Sequence, residues 1–207
     1  MITREQLKIL GVFRRNLFVN LTFAELKEQL KESSNSKLQR AISNFKKEGI
    51  IIIKKIGRTN LISLNYNNNK LFDYFSIFNL EFLGKNMPLD TLYDIQNNLL
   101  KETEFFSLIV FGSYAEGKDS KKSDLDIAVI VENEEIRRKI VPRMKSIGRR
   151  ALQEIDWHIF TREEFLEMLK DEKENLGKEI FRNHLVIYGL INFYNLVLKE
   201  VKNVAVG

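Results

Sequence analysis

An apolar segment, a Gly-Ser pair and an Asp-x-Asp pair before a second apolar segment constrain the fold of this chain most. Residues 106–111, FSLIVF, have the length of a buried strand, and Gly112 and Ser113 follow directly. After ten further residues, Asp124 and Asp126 open a second apolar run. Because side chains alternate along a strand, both carboxylates are expected on one face of a sheet.

Two carboxylates on one face near a strand terminus are unfavourable without a partner, because like charges repel and shift each other's pKa values. A divalent cation removes this repulsion, and hard oxygen ligands suit Mg²⁺. Magnesium is usually held by one or two carboxylates together with the phosphates of a substrate. Asp124 and Asp126 therefore predict a site for Mg²⁺ (or Mn²⁺) that takes a nucleoside triphosphate.

The Gly-Ser pair supplies groups that can bind the phosphates. A strand, a Gly-Ser pair and a helical turn present free backbone N–H groups to an anion, and the Ser113 hydroxyl can donate to a phosphate oxygen. Residues 112–118 also match the first seven positions of a Walker loop, but Asp119 replaces its Mg²⁺-binding hydroxyl. We therefore interpret Gly112 and Ser113 as nucleotide-binding residues of another kind of site.

Asp156 is the candidate third acid. It lies between apolar residues in the strand-like segment 151–160, where a charge needs a partner. With Asp124 and Asp126 it would complete a two-metal site, in which one ion activates a hydroxyl and the other holds the triphosphate. His158 is expected on the same face, either as a histidine at the rim or in contact with nucleotide or acceptor.

The sequence GSYAEG followed by SDLDIAVIV resembles the GS-x10-DxD motif of the DNA polymerase beta-type nucleotidyltransferase superfamily, and above all its minimal nucleotidyltransferases. The similarity extends over about residues 90–195. It implies a mixed β-sheet flanked by helices, and Mg²⁺-dependent transfer of a nucleoside monophosphate, commonly AMP from ATP, to a hydroxyl. It also implies catalytic and metal-binding roles for Asp124, Asp126 and Asp156, and phosphate-binding roles for Gly112 and Ser113.

The resemblance leaves the acceptor open among a protein, a nucleic acid and a small molecule. In the minimal family it can be a Tyr on a partner protein, and some members are antitoxins to HEPN-type toxins, which makes such a toxin a candidate partner. This chain has Glu116 where family members often have Arg or Lys. The alternative is therefore a DNA-binding regulator or antitoxin with a vestigial transferase fold, unless Lys118, Lys121 or Lys122 replaces the cation.

The N-terminal third of the chain is strongly basic. Residues 1–66 hold 13 Lys and Arg against 5 Asp and Glu, a net charge of +8, whereas residues 67–207 have a net charge of −3. Helical patterns over 3–15, 22–31 and 37–47 precede two strand-like runs joined by a Gly-Arg-Thr turn. This order is typical of a winged helix-turn-helix, and its charge predicts a module that binds nucleic acid.

In a winged helix the third helix enters the major groove of DNA and the hairpin contacts the backbone or minor groove. A protein-contact module without DNA is the alternative. A third interpretation is a polymerase-like or RNA-modifying enzyme whose basic module grips its own substrate. The expected DNA-binding residues are the cations of the third helix and the hairpin: Lys37, Arg40, Lys46, Lys47, Lys54, Lys55 and Arg58.

The whole chain is therefore predicted to be an α+β protein with an N-terminal winged helix-turn-helix over 1–67, a helical linker over 68–88 and a nucleotidyltransferase domain over 89–207. The aromatic-rich segment 70–83 is a core stripe or the interface of a homodimer. The charged N-terminus, the absence of cysteine and the lack of a long apolar run favour a cytoplasmic protein without a membrane partner.

Overall fold

The computed structural model describes residues 2–31, 34–83, 86–120, 123–151 and 153–204, with side chains throughout except at 82 and 200–204. The chain divides into two compact units, Met1–Leu80 and Glu81–Gly207. No helix in the described ranges is long and apolar enough to cross a membrane.

The first unit consists of helices followed by a two-stranded hairpin and a further helix. The hairpin strands are antiparallel, with Ile51 opposite Leu64, and Leu21 adds an isolated antiparallel bridge to Ile62. The elements in chain order are α1 Arg4–Arg15, α2 Phe23–Leu30, α3 Asn35–Lys47, β1 Ile51–Ile56, β2 Thr59–Leu64 and α4 Lys70–Phe82, of which the last two residues lie in the second unit.

Local signals in the sequence set the helix starts of this unit. Thr3 and Thr22 each form a capping box with the residue three positions on, Gln6 and Glu25 respectively. Helix α3 buries Leu38, Ala41, Ile42 and Phe45, which recur at helical spacing and leave its polar residues outside. Helix α4 buries Leu71, Phe75 and Phe78 in the same way.

The second unit is built around a four-stranded mixed sheet. Its strand order is β5-β4-β3-β6, with β4 parallel to β5 and β3 antiparallel to both β4 and β6. The elements in chain order are α5 Leu89–Leu99, β3 Phe106–Val110, α6 Gly112–Glu116, β4 Leu125–Val131, α7 Glu134–Gly148, β5 Ile155–Thr161, α8 Arg162–Lys170, α9 Leu176–Arg182, β6 Leu185–Tyr188 and α10 Leu190–Val204.

The two faces of β4 lie in different surroundings. Its residues Leu125, Ile127, Val129 and Val131 join a buried cluster with the apolar residues of α5 and α7. The opposite face is covered by α8, which contacts β4, β5 and α10. Because side chains alternate, Asp126 points away from the α5 and α7 cluster. It is half-buried, whereas its neighbours Leu125 and Ile127 are completely buried.

The sequence of the apolar run 185–201 suits either a buried helix or a partner surface, but the first part of this run is not helical. Residues Leu185–Tyr188 form β6 against β3, and α10 begins at Leu190. Gly189 separates the two elements with a φ of +70°, a backbone conformation that glycine adopts without strain. A Cβ at this position would overlap the Phe106 carbonyl oxygen and lie 3.0 Å from its carbon, so only glycine lets the chain turn so close to β3.

Candidate active site

Strand pairing brings two of the three expected acids together. Strands β4 and β5 are parallel neighbours in which Asp126 lies opposite Asp156. Neighbouring strands are about 4.8 Å apart, so two adjacent residues on the same face approach each other closely. Asp124 directly precedes β4 and is exposed at the same end of the sheet. The sheet therefore gathers the acidic side chains at the end where β4 and β5 begin.

The turn after β3 packs directly on one of these carboxylates. Gly112 begins α6 with a φ of +64°, in the left-handed region that favours glycine. A Cβ on Gly112 would overlap Asp126 Oδ2 and lie 3.0 Å from the carboxyl carbon. The first residue of the Gly-Ser pair and the second Asp of the Asp-x-Asp pair are thus in contact, although fourteen positions separate them.

Ser113 is half-buried on the first turn of α6, and its hydroxyl makes no hydrogen bond to another described residue. Its backbone carbonyl instead accepts from the backbone N–H of Lys118 at 3.0 Å, which closes the loop after the helix. Helix α6 ends at Gly117, whose φ is +68°. The Ser113 hydroxyl is therefore available to a ligand beside the Gly112–Asp126 contact.

Asp156 and His158 form the third part of the site. The Asp156 side chain is 60% exposed, so this acid is not buried among apolar residues as its sequence neighbours suggested. Its carboxylate Oδ1 lies 3.3 Å from His158 Nε2. His158 lies two residues further along β5 and shares the face of Asp156, whereas Trp157 packs against the α5 and α7 cluster.

Residues 94–190 match the family model described as Polymerase beta, Nucleotidyltransferase. The matched range contains the Gly-Ser turn, Asp124 before β4, Asp126 on β4 and Asp156 on β5. The match supports the nucleotidyltransferase superfamily for this part of the chain and a nucleotidyltransferase-type activity in general. No curated protein matches the chain.

Electrostatics distinguish Asp126 within the second unit. Its pKa is raised, first because the carboxylate is partly buried and then because Asp156, Asp124 and Glu179 carry like charges nearby. His158 opposes this shift and lowers the pKa of Asp126. The carboxylate is thus a negative charge in a poorly solvated, negatively charged place, which is the condition that a bound cation relieves.

The acidic side chains at the start of β4 and β5 suit a hard divalent cation that the substrate helps to coordinate. In the described part of the chain, no three His, Asp or Glu side chains converge closely enough to hold a metal ion by themselves. Mg²⁺ commonly takes one or two carboxylates plus substrate phosphates, so a complete protein cage is not required. The contact of Gly112 with Asp126 leaves the half-buried Ser113 beside this carboxylate for the phosphate side of such a site.

The Glu116 carboxylate has two partners in the second unit. Its carboxylate forms an ion pair with Lys118 at 2.7 Å and accepts a hydrogen bond from Asn183 Nδ2 at 2.9 Å. Lys118 thus pairs with the acid at the position where the resemblance leads us to expect a cation. Lys121 and Lys122, the other two candidates for that cation, lie outside the described residues.

The sequence motifs did not indicate two residues that reach this region, Glu179 on α9 and Asn183 directly after this helix. Glu179 lies close enough to contribute to the raised pKa of Asp126, and Asn183 donates to Glu116. Neither residue belongs to a recognisable pattern, since α9 reaches the site through tertiary packing rather than through sequence spacing. The approach of Glu179 could not have been read from the sequence.

The cations expected to bind DNA all lie in the first unit, which the family match does not cover. All seven side chains are exposed. None of them has a carboxylate within ion-pair distance among the described residues, while the second unit pairs Arg137, Lys139, Arg143 and Arg182 with acids. They are found on α3, on β1 and in the turn between β1 and β2: Lys37, Arg40, Lys46, Lys47, Lys54, Lys55 and Arg58.

Proposed function

We propose that the second unit transfers a nucleoside monophosphate from a nucleoside triphosphate, most often AMP from ATP, to a hydroxyl acceptor. The observation that carries the proposal is the contact of Gly112 with the Asp126 carboxylate, with Asp156 opposite Asp126 on the next strand. This contact joins the expected phosphate-binding turn to the expected cation ligands. The family match over 94–190 supports the same reaction class.

In this proposal Asp124, Asp126 and Asp156 would hold Mg²⁺ or Mn²⁺ together with the triphosphate. The bound cation would neutralise phosphate charge and stabilise the leaving pyrophosphate. The Ser113 hydroxyl donates to a phosphate oxygen, and Gly112 allows the backbone to approach the triphosphate. The acceptor oxygen attacks the α-phosphorus, the bond from that phosphorus to the bridging oxygen breaks, and the hydroxyl proton is released.

The acceptor class follows from one labelling experiment. The purified chain is incubated with each of the four α-labelled nucleoside triphosphates in Mg²⁺ or Mn²⁺, alone and with lysate from its own source. We expect label, most strongly from ATP, on a protein such as a HEPN-type toxin, and nuclease or protease treatment of the product separates nucleic-acid from protein acceptors. Absence of transfer and of metal-dependent nucleotide binding would instead favour a regulator or antitoxin with a vestigial transferase fold.

We also propose that the first unit is a winged helix-turn-helix that binds duplex DNA. The supporting observation is the set of seven exposed cations on α3 and the hairpin, all without an acidic partner among the described residues. Unpaired cations gathered on one recognition helix and one hairpin are suited to phosphate oxygens. Binding of this kind is strongly weakened by salt, because each phosphate contact releases counterions.

Charge reversal on this surface is expected to weaken DNA binding. The triple variant Lys46→Glu, Lys47→Glu, Arg58→Glu should lose about tenfold or more in duplex affinity, and the slope of log affinity against log salt should fall by about two to three. The measurement is a fluorescence anisotropy titration of the full chain at several salt concentrations. The same variant should transfer nucleotide to a protein acceptor at the wild-type rate.

A matched triple reversal in the second unit controls for the change in net charge. Lys145, Arg149 and Lys173 are exposed and form no ion pair with described residues, so Lys145→Glu, Arg149→Glu, Lys173→Glu changes the net charge by the same amount. If both triple variants weaken duplex binding equally, the winged-helix assignment is wrong. If the Lys46→Glu, Lys47→Glu, Arg58→Glu variant instead slows transfer to a nucleic acid, the first unit binds the substrate of the transferase.

A further inference from the structure

His158 contacts Asp156 at the end of the sheet where β4 and β5 begin. The imidazole Nε2 lies 3.3 Å from the Asp156 carboxylate Oδ1, which is within ion-pair distance. In the described part of the chain, Asp156 has no other hydrogen-bond or ion-pair partner. One carboxylate oxygen is therefore engaged by the imidazole, and the other is available to a ligand.

The imidazole itself is held in place by neighbouring rings. His158 stacks on Phe160 with the ring centroids 6.1 Å apart and the planes within 8°, and it tilts against Phe111 at 6.2 Å. Phe111 is the residue before Gly112, so the ring lies between the Gly-Ser turn and β5. The His158 side chain is 33% exposed, against 60% for Asp156. The imidazole of His158 is thus more buried and better packed than the Asp156 carboxylate that it contacts.

We propose that His158 is a positioning residue that fixes the Asp156 carboxylate in the orientation in which it completes the cation site. This inference rests on the proposed transferase function and assigns its third acid a supporting partner. Groups that orient metal-binding side chains in this way typically change metal affinity or activity by about ten- to hundredfold when they are removed. Because Asp156 is well exposed, we expect the lower end of that range.

Three substitutions of His158 distinguish the role of the Nε2 atom from the role of the aromatic ring. His158→Phe keeps an aromatic ring between Phe111 and Phe160 but removes Nε2. His158→Gln places an amide N–H near the position of Nε2, whereas the shorter side chain of His158→Asn places it near the position of Nδ1. The proposal therefore predicts that glutamine restores the interaction with Asp156 and that phenylalanine and asparagine do not.

The decisive readout is Mn²⁺ binding to the full chain with a non-hydrolysable ATP analogue, followed by electron paramagnetic resonance of free Mn²⁺. We expect His158→Phe and His158→Asn to bind Mn²⁺ about tenfold more weakly, and His158→Gln to remain within about threefold of the wild type. Transfer by the first two variants should lose a similar factor in kcat with little change in KM for ATP. The melting temperature of His158→Phe should stay close to that of the wild type.

Two results would overturn the inference while leaving the transferase function intact. One is wild-type Mn²⁺ binding by His158→Phe. The other is equal impairment of the glutamine and asparagine variants, which would assign the effect to ring packing instead of the Nε2 position. A wild-type chain that neither binds Mn²⁺ with the nucleotide nor transfers label would overturn the proposed function itself, and the role of His158 with it.

Discussion

Replacing Asp124 and Asp126 together by asparagine is expected to lower nucleotidyl transfer by about a thousandfold or more, because the cation ligands of the reaction are lost. The same variant should unfold at the same urea concentration as the wild type, or at a higher one. Most substitutions of half-buried residues do the opposite and destabilise the fold. Loss of activity without loss of stability is thus the signature of a site kept for chemistry.

The stability part of this prediction follows from the raised pKa of Asp126. A carboxyl group with a raised pKa binds its proton more tightly in the folded state than in the unfolded chain. The folded state therefore loses stability as the pH rises through the range between the unfolded and the raised pKa, and at neutral pH the ionised Asp126 is destabilising. Asparagine removes this charge at similar volume, so the loss of stability that Asp126 contributes as the pH rises should disappear in the variant.

Glu132→Gln is the matched control, because Glu132 is an exposed acid just beyond the opposite end of β4. It should retain wild-type transfer and wild-type stability. Continued transfer of label by the Asp124→Asn, Asp126→Asn variant would contradict a cation site at these residues. Unfolding of this variant at a clearly lower urea concentration, at neutral pH and in the absence of metal, would contradict the stability part of the prediction.

Replacing Gly112 by alanine is expected to lower transfer by about a hundredfold and to destabilise the second unit. The new Cβ would overlap Asp126 Oδ2, so either the turn or the carboxylate must move. A displacement of about 1 Å at a reacting geometry costs on the order of a hundredfold in rate. The left-handed φ of Gly112 adds about 1 to 3 kcal/mol of strain for a residue with a side chain.

Gly117→Ala separates the two causes. Gly117 has nearly the same φ, +68°, but a Cβ at this position meets no atom within 4 Å. It should share the backbone strain of the Gly112 variant without the overlap, so it should lose less stability, and transfer should fall far less. Urea unfolding and single-turnover transfer at saturating ATP give the two quantities. Equal losses of transfer in both alanine variants would mean that the contact with Asp126 is unimportant.

Much of the local structure follows from nearby residues. The capping boxes at Thr22 and Thr161 can be read from the sequence, because each requires only two side chains three positions apart. The apolar segment at 106–111 forms β3 as expected, one residue shorter. The second strand begins at Leu125, two residues earlier than its apolar run, since Asp126 lies within the paired register opposite Asp156.

The geometry of the site depends on pairings that no local pattern specifies. Motif spacing indicates Gly112 and Asp126 as members of one site, but the contact between them requires the antiparallel pairing of β3 with β4. Glu116 and its ion-pair partner Lys118 are two positions apart in sequence, yet the same carboxylate accepts a hydrogen bond from Asn183, which directly follows α9. Residues this distant in sequence are brought together by the packed fold alone.

The boundary between β6 and α10 shows why an apolar run alone does not predict the type of secondary structure. Continuous apolar residues suit a buried strand and a buried helix equally well, so periodicity does not distinguish them. The deciding residue is Gly189, whose φ of +70° and close approach to Phe106 end β6 and allow α10 to begin. A single glycine within an apolar run therefore marked the boundary between two elements.

The most direct test of the central claim compares ATP labelled on its α-phosphate with ATP labelled on its γ-phosphate in the same transfer reaction. Transfer of a nucleoside monophosphate predicts acceptor label from α-labelled ATP alone, with the γ-label recovered in pyrophosphate. It also predicts that both signals disappear in the Asp124→Asn, Asp126→Asn variant. Acceptor label from γ-labelled ATP, or equal transfer by the variant, would contradict nucleotidyl transfer at this site.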